Sequence, residues 1–195
     1  MKIGVLAMQG AFLEHCRMLN ECGCETAEIR KVEHLEDLDG LIIPGGESTT
    51  IGKLLNEFGL FEPILHRARA GMPIYGTCAG MILLAKDIVN STQPRLGLMK
   101  IRVKRNGFGR QVDSFETDLK VRGIGNQPFR AVFIRAPYVE SVEPGVEVMA
   151  EFEEKIVCVR QGNFLASAFH PELTGDKRIH EYFVNMVEEA RRKSH

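Results

Sequence analysis

The strongest constraint on the fold is an alternation of short apolar runs and amphipathic segments across the first half of the chain. Four runs have the length of buried strands: residues 3–7, 24–29, 41–43 and 73–75. Three segments between them have helical spacing of apolar side chains: residues 11–22, 48–58 and 61–70. Because parallel strands need a crossover connection, this order predicts a mostly parallel central sheet that is flanked by helices on both faces.

The second half of the chain has a different pattern. A short helix is predicted at 81–86, and six strands follow it, at residues 97–104, 115–121, 130–135, 146–152, 155–160 and 163–169. Several of these strands alternate apolar and polar side chains or are rich in β-branched residues. A helix over 176–192 closes the chain. The sequence therefore predicts an α/β, flavodoxin-like fold in which residues 1–195 form a single domain, with extra antiparallel strands in the second half.

Composition excludes several classes of protein. With 195 residues, 44% of them hydrophobic, and a net charge of −1, the chain can bury a core and has no overall attraction to nucleic acid or an acidic membrane. No apolar run approaches the roughly 20 residues of a membrane helix. The start, MKIGVLAMQG, is typical of a first strand rather than a signal peptide, so we expect a cytoplasmic protein. The five cysteines have irregular spacing, which predicts neither a disulfide framework nor a metal site.

Cys78 lies in a Gly-Thr-Cys-Ala-Gly segment between a predicted strand and a predicted helix. This is the cysteine form of a nucleophile elbow, in which a sharp turn lifts the side chain above the sheet and small flanking residues relieve crowding. The positive end of the following helix favours the thiolate, which is the reactive form of cysteine. Taken alone, the pattern fits a buried cysteine in a glycine-rich turn equally well.

His170 and Glu172 supply the groups that such a nucleophile needs. His170 follows the last predicted strand, and Pro171 restricts its backbone to an extended conformation. Glu172 can bind one ring nitrogen and leave the other free to face the thiol, as in a Cys-His-Glu triad. The other five histidines lack this setting, so we interpret them as surface or helix-face residues: His15, His34, His66, His180 and His195.

A glycine pair at the end of the third predicted strand could bind a developing oxyanion. The segment 44–50 reads PGGESTT, and its glycines let backbone N–H groups approach a substrate closely. Gly46 and Ala79, the residue after Cys78, are the predicted donors. The segment also fits a tight turn before a helix with Ser48 or Thr49 as its N-cap, and taken alone this is the better interpretation.

The motifs PGGES, GTCAG and HPE, in this order, resemble those of class I (triad) glutamine amidotransferases. Four longer segments resemble, within that class, the glutaminase subunits of pyridoxal 5′-phosphate synthases. These segments are LIIPGGESTT (41–50), RNGFGRQVDSF (105–115), FIRAP (133–137) and SAFHPELT (167–174). The resemblance covers nearly the whole chain.

The resemblance implies a function and a set of residues. The chain would hydrolyse L-glutamine to glutamate and ammonia, without a cofactor or metal, and pass the ammonia to a pyridoxal 5′-phosphate synthase subunit. Cys78 would be the nucleophile, His170 the base and then the acid, and Glu172 the group that orients His170. The residues implied to bind glutamine are Gly46, Glu47, Ser48, Arg105, Ile134 and Arg135.

The resemblance also implies that docking of the synthase subunit increases the activity of the chain. A Gly45–Gly46 peptide can flip at low cost, so an oxyanion donor can point away until the partner docks. Gln9 and Gly10, after the first strand, would face the partner, although Gln9 could equally be a surface loop residue.

Two alternatives remain open on the sequence. The first is the glutaminase of another amidotransferase, such as imidazole glycerol phosphate synthase, which would share the triad. The second is a non-enzymatic, DJ-1-like redox or binding module, which also has a cysteine at an elbow but does not need the His170–Glu172 pair.

Overall fold

The apolar runs of the sequence form the strands of the sheet in the computed structural model, which describes residues 1–109 and 113–195. The strands are β1 (Lys2–Leu6), β2 (Glu25–Ile29), β3 (Gly40–Ile43), β4 (Ile74–Thr77), β5 (Ala85–Ile88), β6 (Met99–Lys104), β7 (Ser114–Leu119), β8 (Phe129–Ile134), β9 (Tyr138–Val142), β10 (Glu147–Phe152), β11 (Lys155–Gln161) and β12 (Phe164–Ser167). The helices are α1 (Phe12–Glu21), α2 (Ser48–Glu57), α3 (Phe61–Arg69), α4 (Ala79–Leu84) and α5 (Arg178–Lys193). Short 3₁₀ helices span Val32–Leu35 and Pro171–Leu173.

One large sheet contains most of these strands, in the order β2-β1-β3-β4-β12-β11-β9-β6-β5, with β10 paired to β11. Each pair of adjacent strands in this order from β2 to β12 is parallel. Each pair of adjacent strands from β12 to β6 is antiparallel. β7 and β8 form a separate antiparallel hairpin. The predicted fold class, a single-domain α/β fold with added antiparallel strands, is confirmed.

The topology brings three loops to one edge of the sheet. β3, β4 and β12 are adjacent and parallel, so their carboxyl ends lie side by side. The loop after β3 contains the glycine pair, β4 leads into Cys78, and β12 leads to His170. The parallel sheet thus positions all three predicted chemical groups at its carboxyl edge.

Helices cover the sheet with their apolar faces. α1 buries His15, Cys16, Met18 and Leu19 and packs against α5. All six residues of α4 are buried, and this helix packs against α2. No helix among the described residues is long and apolar enough to cross a membrane.

Two strands depart from the sequence prediction. The predicted helix over 81–86 ends at Leu84, and the next residues form β5, which pairs with β6. β9 follows Pro137, and its sequence, YVESV, has two adjacent polar residues that break the alternation of apolar and polar side chains. Both strands are specified by the strands with which they pair, β6 for β5 and β6 and β11 for β9, rather than by a local pattern.

The N-cap residue of α2 precedes both of the predicted candidates. The N-cap is Glu47, not Ser48 or Thr49, and its carboxylate accepts hydrogen bonds from the backbone N–H groups of Thr49 (3.1 Å) and Thr50 (2.7 Å). Both threonine hydroxyls donate to the same carboxylate. Burial alone would raise the pKa of Glu47, but these hydrogen bonds outweigh it and lower the pKa to about 2.

Replacing Glu47 by alanine should lower the free energy of unfolding by about 1 kcal/mol at pH 7, because the N-cap acceptor is lost. A lowered carboxyl pKa stabilises the fold above its unfolded value and loses that effect as pH falls. The difference between Glu47→Ala and the unaltered chain should therefore shrink from pH 4.5 to pH 2. Urea unfolding over this range measures it, with Glu57→Ala at the other end of α2 as the control. A difference that does not depend on pH would contradict the capping role of the charge.

The turn at Cys78 requires glycine at position 80. A Cβ on Gly80 would lie 2.1 Å from the carbonyl oxygen of Ile43, which belongs to the backbone of β3 and cannot move aside. Gly80→Ala should therefore lower the free energy of unfolding by about 1–3 kcal/mol. Gly175→Ala is the matched control, since nothing lies within 4 Å of its Cβ position. Equal loss in the two variants, measured by urea unfolding, would show that α4 and β3 are not in this contact.

Candidate active site

Cys78 sits in a strained turn at the carboxyl end of β4. Its φ and ψ angles are 52° and −104°, a conformation that side chains rarely adopt and that the surroundings must enforce. Its backbone N–H donates to the carbonyl oxygen of Ser167 in β12 (2.8 Å). A Cβ on Gly76 would lie 2.5 Å from the backbone of Gly80, which explains the glycine at both ends of the turn. The predicted elbow geometry is present, and the side chain is 7% exposed.

His170 stands between the thiol and a buried carboxylate. Its backbone N–H donates to the carbonyl oxygen of Val132 in β8 (2.8 Å), and Pro171 begins the 3₁₀ helix that follows. Its Nδ1 is 2.7 Å from Oε1 of Glu172, which is fully buried. With Nδ1 engaged in this way, Nε2 is the nitrogen left to exchange a proton with Cys78, which lines the same cavity as His170.

The charges around His170 favour its protonated form. Burial alone would lower its pKa, but the hydrogen bonds to Cys78 and Glu172 and the charges of both groups outweigh burial and raise the pKa. The arrangement can therefore present a nucleophile and a proton donor to the same substrate.

A cavity of about 330 Å³ opens beside these groups. Its lining brings together five of the residues that the sequence predicted: Gly46, Cys78, Ile134, Arg135 and His170. The sulfur of Cys78 lies 3.8 Å from the carbonyl oxygen of Ile134. Arg135 has a positive φ of 44°, so the backbone on this side of the cavity is also strained.

The loop after β3, which contains Gly45 and Gly46 and is called the glycine loop below, packs against the triad and against the loop after β1. A Cβ on Gly45 would lie 2.6 Å from Cε1 of His170 and 3.4 Å from Cβ of Cys78. Gln9 accepts a hydrogen bond from the backbone N–H of Glu47 through Oε1 (2.5 Å). Gly10 approaches the carbonyl oxygen of Gly45 so closely that a Cβ there would lie 2.0 Å from it. Gln9 is thus bound to the glycine loop rather than free at the surface.

Three predicted substrate-binding residues lie outside the cavity lining found in the described residues: Glu47, Ser48 and Arg105. Gln93, which the sequence analysis missed, connects two of them. It accepts a hydrogen bond from Nη1 of Arg105 (2.7 Å) and donates one from Nε2 to Oγ of Ser48 (3.0 Å). Gln93 lies in a loop that has no motif, so no local signal could have identified it. Residues 110–112, in the predicted segment 105–115, lie outside the described residues.

Two further histidines lie on helix faces, one of the two predicted settings, but not at the surface. His15 on α1 and His180 on α5 are both fully buried. His15 lies beside Glu172, and His180 contacts His15. Each occupies the apolar face of its helix, next to Cys16 and Ile179 respectively. In the sequence, burial was indicated only by the position of each histidine on the apolar face of a predicted helix. That position does not show what the histidine contacts, because the packing partner of the helix is unknown.

The chain is similar to known proteins over almost its full length. Residues 5–189 match the model of the SNO glutamine amidotransferase family. A relative from Moorella thermoacetica, named pyridoxal 5′-phosphate synthase subunit PdxT, is 63% identical over 96% of this chain and 100% of its own length. A protein of the same name from Geobacillus kaustophilus is 54% identical over 100% of this chain and 98% of its own.

Solved structures are similar in fold as well. A crystal structure of a glutamine amidotransferase superposes with a TM-score of 0.91 at 53% identity, covering 95% of this chain and 98% of the other. A chain in the structure of PurLQS from Thermotoga maritima shares the fold with a TM-score of 0.63 at 18% identity, covering 99% of this chain and 98% of the other. The resemblance seen in the sequence motifs is confirmed, and the chain belongs to the SNO glutamine amidotransferase family.

Proposed function

We propose that the chain, over residues 1–195, is the glutaminase subunit of a pyridoxal 5′-phosphate synthase and hydrolyses L-glutamine through Cys78, His170 and Glu172. The observation that carries the proposal is that Cys78 and His170 line one cavity of about 330 Å³, and that His170 is bound through Nδ1 to the fully buried carboxylate of Glu172. The relatives named as PdxT support the choice of synthase over that of another amidotransferase.

The reaction follows an acyl-enzyme path. The thiolate of Cys78 attacks the side-chain carbonyl carbon of glutamine, and a C–S bond forms as the carbonyl oxygen takes the negative charge. The Nε2–H of His170 then protonates the leaving nitrogen, the C–N bond breaks, and ammonia leaves a γ-glutamyl thioester on the sulfur. Water, deprotonated by the now neutral His170, attacks the thioester and releases glutamate, which restores the thiolate and the imidazolium.

Glu172 fixes the direction of these proton transfers. Its Oε1 accepts the Nδ1–H of His170, so that Nε2 is the nitrogen that gives and takes the proton. Because Glu172 is fully buried, its charge is little screened by water and stabilises the imidazolium effectively.

The oxyanion is assigned to two backbone donors, Gly46 and Ala79. Ala79 is the first residue of α4, where backbone N–H groups have no partner within the helix. Gly46 borders the cavity with a φ of 141°, a conformation that glycine adopts readily and other residues rarely do. The two donors come from neighbouring strand ends, β3 and β4, as an oxyanion site requires.

The polar ends of glutamine are assigned to the remaining residues of the site. Ile134 and Arg135 border the cavity on the strained strand end, and their backbone groups would hold the substrate there. Arg105 supplies a positive charge, and Gln93 joins it to the Ser48 end of the glycine loop. Glu47 and Ser48 would contribute backbone groups, since the Glu47 carboxylate is occupied by its own helix.

Docking of the synthase subunit is proposed to fix the orientation of the peptide in the glycine loop that carries the Gly46 N–H. The side chain of Gln9 is bound to the N–H of Glu47, and Gly10 lies against Gly45. A partner that contacts Gln9 and Gly10 would therefore act directly on the peptide that carries the Gly46 donor. Activation by the partner and delivery of ammonia to it would then occur at the same edge of the sheet.

Cys78→Ala should abolish glutamine hydrolysis, because no other group in the site can form the thioester. The expected loss is at least about a thousandfold in kcat for the chain bound to its synthase subunit. Ammonia release from glutamine measures it, and Cys22→Ala, a free cysteine away from the cavity, should retain the full rate. Comparable activity in Cys78→Ala would overturn the proposed mechanism.

The same assay, run with and without the synthase subunit, tests the activation. The unaltered chain alone should release ammonia slowly and become faster when the subunit is added. Equal rates would refute the role of the glycine loop in activation and leave the triad in place.

A further inference from the structure

A polar cluster is buried directly behind Glu172, on the side opposite His170. It consists of His15 of α1, His180 of α5 and Thr77 at the end of β4, and all three are fully buried. Nε2 of His15 lies 3.5 Å from Oε2 of Glu172 and 3.3 Å from Oγ1 of Thr77. Nδ1 of His15 lies 2.8 Å from Nε2 of His180. The mechanism proposed above uses none of these three side chains.

Both histidines are neutral. Burial, reinforced by the neighbouring His180 and His170, holds the pKa of His15 well below its usual value. Burial likewise lowers the pKa of His180 to about 3. A neutral imidazole has one N–H donor and one acceptor nitrogen, so each ring must adopt one of two tautomers.

The buried carboxylate decides between the tautomers. If His15 carried its proton on Nδ1, its Nε2 lone pair would face Oε2 of Glu172, which has no hydrogen-bond partner in the described residues. A buried anionic oxygen opposite a second acceptor is strongly unfavourable. With the proton on Nε2, His15 presents an N–H that lies between Oε2 of Glu172 and Oγ1 of Thr77, and it accepts the Nε2–H of His180 on Nδ1. The second arrangement leaves only a neutral lone pair, on Nδ1 of His180, without a partner among the described residues.

We propose that His15 is a positioning residue for the triad: its Nε2–H holds the second oxygen of Glu172, and His180 fixes the tautomer that makes this possible. This inference rests on the proposed function and extends the triad by two residues. His180 then donates to His15, and His15 donates to Oε2 of Glu172. The other carboxylate oxygen, Oε1, accepts the Nδ1–H of His170. Glu172 is then held at both oxygens while His170 gives and takes its proton.

Other titratable groups surround this cluster from the elements packed against it: Tyr75 of β4, Cys158 of β11, Cys78 before α4 and His170 after β12. Burial raises the pKa of Tyr75 well above its usual value and that of Cys158 to about 12, so both stay neutral over the working range. Because iodoacetamide reacts with the thiolate, the pH profile of alkylation reports on Cys78 together with His170, and on Glu172 through its contact with His170.

The test replaces His15 by methionine, which has similar bulk and no N–H, and by glutamine, which keeps a donor. Reactivity of Cys78 with iodoacetamide is followed against pH in the folded chain, and glutamine hydrolysis against pH in the complex with the synthase subunit. Loss of the donor leaves one oxygen of the buried Glu172 without a hydrogen bond and so alters the charge that faces His170. In His15→Met the acidic limb of both profiles should therefore move by about one pH unit, with kcat reduced about tenfold and KM little changed. His15→Gln, which keeps a donor, should have a pH profile and a kcat close to those of the unaltered chain.

An unchanged acidic limb in a folded His15→Met variant would overturn the inference, since a merely structural role would lower stability without moving the limb. If that variant does not fold, the ¹⁵N shifts of the imidazole in the unaltered protein decide the matter. Protonation of His15 on Nε2 supports the inference, and protonation on Nδ1 overturns it. The alkylation profile and the tautomer do not depend on turnover, so absence of ammonia release would count against the proposed function alone.

Discussion

The left-handed turn at Cys78 is the constraint on which the rest of the site depends. Cys78, which is not a glycine, is held at a φ of 52° by its backbone hydrogen bond to Ser167. The glycines of the turn also stabilise this conformation, because they let the backbone of α4 contact the backbone of β3. Such a conformation costs roughly 1–3 kcal/mol, which the packing around it must supply. The same hydrogen bond joins the ends of β4 and β12. The strain is therefore coupled to the placement of His170 three residues beyond Ser167.

Burial gives the site its electrostatic character. The charged groups lie on the cavity side, where the thiol and imidazole meet, and the neutral histidines lie behind the carboxylate. Because Glu172 is fully buried, each donor that it receives matters more than it would in water. His170 supplies one of these donors, and in our proposal His15 supplies the other. The apolar faces of α1 and α5 thus contribute to the site as well as to the core.

The sequence predicted those parts of the site that have a local steric signature. Cys78 was identified because an elbow requires small neighbours, and His170 because a proline and a carboxylate follow it within two residues. The parallel half of the sheet followed from alternating segments. By contrast, β9 and β5 are specified by the strands with which they pair. Gln93, His15 and His180 gain their roles from helices and loops that meet only in three dimensions. A single polar residue on an apolar helix face cannot reveal its partner.

The central claim, that the sulfur of Cys78 attacks the side-chain carbonyl of glutamine, is tested most directly by trapping the acyl position. The complex of this chain with its synthase subunit would be treated with a γ-glutamyl chloroketone, and the adduct located by peptide mass spectrometry. We expect one adduct, on Cys78, whose formation is prevented by excess L-glutamine. Labelling of Cys22 or another thiol instead, or no labelling in a complex that releases ammonia from glutamine, would contradict the claim.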